Sequence, residues 1–200
     1  MKPFFRSLRP RSADPGSPPS LTPFQAEQFR LTIMPHLDAA YRLACWLLHD
    51  PVAAEDVVQN AFIRAFAGFA GFQGEAGKAW LLAITRNCCF DWIKRHRPNP
   101  AEDLLVSDLV EVETPETRLA VKQQGRSLRS AVADLPEPFR ETLVLRELED
   151  MTYKDIARIT QAPIGTVMSR LARAREMLAR DLLAREILAR EMPAAGEAQS

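Results

Sequence analysis

Met151–Arg175 reads MTYKDIARITQAPIGTVMSRLARAR, two short helical patterns separated by a turn. Thr152 with Asp155 three residues on resembles a capping box and predicts a helix start. Ile156, Ala157 and Ile159 then fall where a core would take them. Gln161-Ala162-Pro163 supplies the turn, with Pro163 tolerated because a helix is beginning. In the second pattern Ile164, Val167, Leu171, Ala174 and Leu178 recur at helical spacing and predict a buried stripe. Thr166, Ser169, Arg170 and Arg173 lie on the remaining surface, the last three close together. Hydroxyls and guanidinium forks read base edges and hold phosphates, so this helix pair suits the major groove of DNA. An ordinary helical hairpin with solvated arginines has the same spacing, and the rest of the chain must discriminate.

The composition narrows the choice. In 200 residues there is room for one or two small domains, and 46% hydrophobic content can fill real cores. Only 8 glycines and few strand-like alternations point to an all-α protein. Formal net charge is zero, yet the charges are segregated. Lys78–Arg97 carries Lys78, Arg86, Lys94, Arg95 and Arg97 against Asp91 alone, and Pro163–Arg180 carries four arginines against Glu176. Between them, Ala101–Thr117 holds six carboxylates and no base. Two basic helical segments around an acidic link suggest two DNA-facing modules.

Other functional classes find little support. Cys45, Cys88 and Cys89 make no disulfide framework and fit a reducing, cytoplasmic setting; we read them as helix-packing residues. His36, His49 and His96 are scattered and build no ligand cluster, so no metal or cofactor is expected. No apolar run approaches the roughly 20 residues that cross a bilayer, and the basic N-terminus lacks the apolar stretch of a secretory signal. There is no Gly-rich phosphate loop and no nucleophile elbow. Glu55 and Asp56 are adjacent, so on a helix they point about 100° apart and make a poor acid–base pair.

Along the chain, residues 1–22 are rich in Pro, Ser and Arg and read as a disordered basic tail. Residues 23–97 read as a first helical domain. Its first helix is expected from Pro23 to Leu48 with a bend at Pro35, buried through Leu37, Tyr41, Ala44 and Leu48. Asp50-Pro51 opens a second helix, with an apolar stripe of Val58, Ala61, Phe62, Ala65, Phe66 and Phe69. A loop with four glycines between Gly68 and Gly77 follows. The third helix, from Lys78, packs through Leu81, Ile84, Cys88 and Trp92 and stops at Arg97-Pro98. Residues 98–116 form an acidic, proline-bounded linker. A second domain, 117–183, is expected to hold a helix over Thr117–Leu135, a break at Pro136-Glu137-Pro138, a helix over Phe139–Leu148 and the helix-turn-helix. Residues 184–200 are a helical extension and tail.

Three motifs occur in order: Ala54–Phe62 (AEDVVQNAF), Trp80–Arg95 (WLLAITRNCCFDWIKR), and Leu135-Pro136 with Gly165–Arg175 (GTVMSRLARAR). In that order and spacing they resemble the extracytoplasmic-function, or group IV, sigma factors of bacterial RNA polymerase, over about Pro35 to Leu183. The resemblance implies two helical domains, regions 2 and 4, joined by a flexible linker. Region 2 would bind the clamp helices of the largest polymerase subunit and open the promoter near −10. Region 4 would bind the −35 element and the flap of the second-largest subunit. An anti-sigma factor is an expected partner.

On that resemblance Asp56, Gln59, Asn60 and Ile63 would face polymerase. An acid and an amide beside an apolar residue suit a basic helical partner. Phe72, Gln73 and Lys78 would meet a flipped-out base of the −10 element. Arg86, Asn87, Lys94 and Arg95 would grip the separating strands, with Asp91 pairing to Arg95 four residues on. Thr166, Ser169, Arg170 and Arg173 would read the −35 element. Gln161 stands where the family often has glycine, Met168 where a basic residue is common, Ala172 where a larger side chain is common, and Asn60 where aspartate is frequent. Two other readings remain: a sigma-like mimic that sequesters an anti-sigma factor, and a plain helix-turn-helix repressor. The repressor leaves Ala54–Phe62 and Trp80–Arg95 without a purpose.

Overall fold

The computed structural model describes residues 21–73, 76–96 and 128–191, with side chains as far as 187. The expected basic tail, the acidic linker and the first part of the Thr117–Leu135 helix lie outside these residues. All regular structure among the described residues is helical. The chain divides into two compact units, with residues 21–96 in the first and nearly all of 128–191 in the second. None of the described helices is long and apolar enough to cross a membrane.

The first unit begins with α1 (Pro23–Thr32). Thr22 Oγ1 accepts the Gln25 backbone N–H at 3.2 Å while Gln25 Oε1 accepts that of Thr22 at 3.0 Å, so two helix-end donors are satisfied reciprocally. The expected bend at Pro35 is a full break. Ile33 ends α1, a 3₁₀ turn spans Met34–His36, and α2 (Leu37–Leu48) starts anew. Proline cannot donate to the preceding turn and crowds it, which explains the break. His49, at φ 55°, closes α2 in the left-handed conformation. Asp50 Oδ1 then accepts from the backbone N–H groups of Val52 and Ala53, at 2.9 and 3.1 Å, and starts α3 (Pro51–Gly68). A 3₁₀ turn over Phe69–Gly71 precedes α4 (Gly77–His96).

Helices α2, α3 and α4 pack pairwise. The buried side of α2 is Ala40, Leu43, Ala44, Leu47 and Leu48; Leu37 and Tyr41 are only half-buried, so the expected stripe was rotated. The buried face of α3 is likewise made of small residues, Ala53, Ala54, Val57, Ala61 and Ala65. Of the expected phenylalanine stripe, Val58, Phe62 and Phe66 are half-buried and flank that face. Small side chains let neighbouring helices approach closely. Phe62, Phe66 and Phe69 instead surround the Phe29 ring edge-on, with centroids 5.0, 5.3 and 5.1 Å away. Leu81, Leu82, Ile84, Cys88 and Cys89 bury the α4 side, and burial pushes the Cys88 thiol up from its ordinary pKa. Gly77 is a contact of a different kind: a Cβ there would stand 2.6 Å from the Thr32 carbonyl oxygen. Only glycine lets α4 start against the end of α1 in this way.

In the second unit a helical segment, α5, spans 128–133. The Arg140 guanidinium donates to the Ala133 and Leu135 carbonyls, at 2.6 and 3.0 Å, and satisfies acceptors at the end of that segment. Helix α6 (Glu137–Leu143) starts two residues earlier than expected and widens into a π-helical turn over Val144–Leu148. Then come α7 (Tyr153–Thr160) and α8 (Ile164–Glu191). Leu143, Val144, Leu145, Ile156, Val167, Leu171 and Ala174 are buried. Ile164 is a correction: it belongs to the helical stripe by spacing yet is 47% exposed, because it opens α8 beyond the turn that Val167 anchors. At about 1.5 Å per residue the 28 residues of α8 extend about 42 Å without interruption. Arg185 ties its later turns to Asp134, at 2.7 Å, and to Asp181, at 2.6 Å.

Candidate functional site

Three surfaces carry the candidate residues. On α3, Asp56, Gln59, Asn60 and Ile63 are all exposed, opposite the alanine face. Ile63 is 64% exposed, an apolar group presented to solvent beside a carboxylate and two amides. Asn60 Nδ2 donates to the Asp56 backbone carbonyl at 3.2 Å, which holds its side chain along the helix. Val52, 73% exposed, lies one turn before Asp56 on the same side, and the sequence reading missed it. Its signal was available: it is four residues before Asp56, and so on the same helix face.

The second surface runs from the loop into α4. Phe72 stacks on Phe69, with centroids 5.5 Å apart and an interplanar angle of 18°, and lies 4.9 Å from the Trp80 ring. Phe72 is therefore half-buried in an aromatic cluster, with Gln73 exposed beside it. Lys78 is half-buried in the first turn of α4. Burial first, and then the Lys78 charge, hold the His36 imidazole below its ordinary pKa. Further along, the Arg86 guanidinium lies 4.4 Å over the Phe90 ring. Asn87 is half-buried, while Lys94 and Arg95 are exposed at the basic end of the helix.

The expected Asp91–Arg95 ion pair is corrected. The Asp91 carboxylate takes the Arg64 guanidinium of α3, at 3.1 Å, and Arg95 Nε donates instead to the Asp91 backbone carbonyl, at 3.0 Å. The bond to Asp91 raises the Arg64 pKa above its ordinary value. Arg64 lies 27 residues from Asp91, so no local spacing could have revealed the pair.

The third surface is the start of α8. Thr152 Oγ1 caps α7 by accepting the Asp155 N–H, at 3.2 Å. The turn into α8 places Gln161 at φ 55°, ψ 34°, the left-handed conformation where glycine would be at ease. Along α8, Ser169 and Arg173 are exposed and Thr166 and Arg170 half-buried. The Ser169 hydroxyl donates to the Thr166 carbonyl at 3.0 Å. Arg175 turns away from this group and pairs with Glu147, at 2.6 Å, which raises its pKa above the ordinary value. It therefore fastens α8 to the π-helical turn. Chemically, the α3 face suits a protein partner with basic groups, whereas the end of α4 and the start of α8 suit a polyanion. No group of His, Cys, Asp or Glu among the described residues could hold a metal ion.

Known proteins give these surfaces a context. Residues 32–99 match the family model "Sigma-70 region 2", and residues 125–178 match "Sigma-70, region 4". The chain is 37% identical over 134 residues to the ECF RNA polymerase sigma-E factor of Haemophilus influenzae, covering 62% of this chain and 71% of that one. It is 32% identical over 161 residues to the RNA polymerase sigma-H factor of Pseudomonas aeruginosa, covering 75% and 83%. Among solved structures it is similar to the sigma factor RpoE of Bartonella quintana, in complex with the anti-sigma factor NepR. The TM-score is 0.64 at 29% identity, covering 78% of this chain and 97% of that one.

Proposed function

The chain belongs to the extracytoplasmic-function RNA polymerase sigma factors, and we propose a division of its work between the three surfaces just described. As a sigma factor it binds core RNA polymerase and promoter DNA and directs transcription initiation. The α3 face of Asp56, Gln59, Asn60 and Ile63 docks on the clamp helices of the largest subunit. The loop with Phe72, Gln73 and Lys78 takes a base of the −10 element, and Arg86, Asn87, Lys94 and Arg95 hold the separating strands. Thr166, Ser169, Arg170 and Arg173 read the −35 element, and the second unit also meets the flap of the second-largest subunit. The boundaries follow: region 2 over 23–97, a linker over 98–116, region 4 over 117–183 and an extension beyond.

The protein does no covalent chemistry. It acts in the cytoplasm by binding energy alone, extracting a base at a cost of a few kcal/mol that its pocket must offset. Its targets form a stress or envelope regulon. An anti-sigma factor restrains it, a partner of the kind seen with the Bartonella RpoE.

The observation that carries this reading is the exposed Asp56–Gln59–Ile63 face on a first unit that a DNA-binding repressor would not need. Reconstitution tests it. Purified protein added to core polymerase should co-purify with it and start transcripts from a cognate promoter. Failure to bind core polymerase would remove the reading, and repression without polymerase binding would favour the repressor.

A further inference from the structure

One strip of α8 is left over from the assignment above. Ile164, Met168 and Ala172 recur every four residues, so they form a line along one side of the helix. All three are exposed, Met168 by 53% and Ile164 by 47%. Gly165, between them, has open space where a side chain would stand, with nothing within 4 Å. The strip is therefore unshielded, and it adjoins Ser169, which faces the same solvent. It carries no charge, so it offers a phosphate nothing.

We propose that Met168, with Ala172 beside it, contacts thymine methyl groups in the −35 element and so determines part of this protein's promoter preference. The inference rests on the assignment of α8 as the −35 reading helix. In the major groove the base edges present donors, acceptors and one apolar group, the 5-methyl of thymine. An exposed apolar strip continuous with a hydroxyl and guanidinium surface finds its complement there. Methionine suits the task, because its unbranched thioether adapts to a shallow apolar target. Ala172 is short enough to let the groove floor approach. Arg170 and Arg173, further round the helix, remain available for phosphates or guanine.

Holoenzyme reconstituted from this protein and core polymerase supplies the test. A duplex with the −35 region randomised is enriched by binding, and each thymine in the selected sequence is replaced singly by deoxyuridine, which removes only the methyl group. Wild-type holoenzyme should lose about fourfold in affinity at one or two thymines, the factor expected for one buried methyl. Met168→Ala should bind thymine and deoxyuridine duplexes alike. Met168→Lys should lose the methyl preference and gain a steeper salt dependence, by about one phosphate contact. Core polymerase binding is the folding control for both variants, since the position is exposed. Equal affinity of wild type for thymine and deoxyuridine at every position would overturn the proposal. So would a methyl preference that survives in Met168→Ala, since another residue would then carry it. If no −35 sequence is enriched, the assignment of α8 itself fails, and this inference falls with it.

Discussion

Helices α3 and α8 bury nearly the same kind of face and expose opposite chemistries. Each hides small or aliphatic side chains: Ala53, Ala54, Val57, Ala61 and Ala65 on α3, and Val167, Leu171 and Ala174 on α8. Outward, α3 presents a carboxylate, two amides and the apolar Ile63, whereas the start of α8 presents hydroxyls and guanidinium groups beside the apolar strip of Ile164, Met168 and Ala172. A chain with no net charge can thus address two partners of unlike charge, provided each helix keeps its sign. The difference teaches that a net charge of zero does not argue against nucleic-acid binding, because opposite charges can be segregated on separate helix faces.

Reversing the sign on α3 should have the largest effect. Asp56→Arg sets a cation against a basic partner, and like charges at an interface can cost several kcal/mol. We expect a loss of core polymerase binding of about a hundredfold or more, measured by co-purification or anisotropy. The melting temperature should stay nearly unchanged, because Asp56 is exposed. A large drop in melting temperature would show that the face is structural.

On α8, Arg173→Ala should cost roughly 1–3 kcal/mol of promoter binding and relax preference at one −35 position. Affinity for core polymerase should be unaltered. Unchanged promoter preference would remove Arg173 from the reading surface.

The end of α4 is basic although it belongs to the same unit as α3, and Lys94→Ala with Arg95→Ala examines it. Permanganate footprinting should show a weaker −10 bubble, while binding to an isolated −35 duplex persists. Two lost phosphate contacts should also make the salt dependence of open-complex formation shallower by about 1.5 in log–log slope. A normal bubble would reduce this helix end to a solvated charged face.

The smallest expected effect lies in the turn that feeds α8. Gln161 holds a left-handed conformation, so Gln161→Gly should raise stability by about 0.5–1 kcal/mol in denaturant unfolding. Promoter preference should not change. A loss of stability would mean that the Gln161 side chain contributes more than its backbone strain costs.

What the sequence made legible was mostly local. Asp50-Pro51 and Thr152 announce their helices because a cap acts within three residues of itself. Gln161 drew attention only through the family resemblance, as a position where glycine is common, and its left-handed φ of 55° accounts for that preference. Burial was harder to read. Of the stripe expected on α3, Ala61, Ala65 and Phe69 are buried, but Val58, Phe62 and Phe66 are only half-buried and Ala53, Ala54 and Val57 complete the covered face, since helix proximity rather than side-chain size decides what is covered. Ile164 kept helical spacing and was still exposed, because the first turn of α8 projects past its packing partners. The Arg64–Asp91 and Arg175–Glu147 pairs join residues 27 and 28 positions apart, and helix periodicity says nothing about such distances. The candidate faces were chosen by sign and spacing, and Asp56, Gln59, Asn60, Ile63, Ser169 and Arg173 are indeed exposed, while Thr166, Arg170, Phe72, Lys78, Arg86 and Asn87 are half-buried.

The central claim is that α3 and α8 serve different partners. Its most direct measurement is a crossed pair of binding isotherms, with Asp56→Arg and Arg173→Ala each titrated against core polymerase and each assayed, as isolated protein, against a −35 duplex. The expected result is a crossover: Asp56→Arg loses polymerase and keeps the duplex, while Arg173→Ala keeps polymerase and binds the duplex more weakly, by roughly 1–3 kcal/mol. Equal loss of both partners in either variant would contradict it.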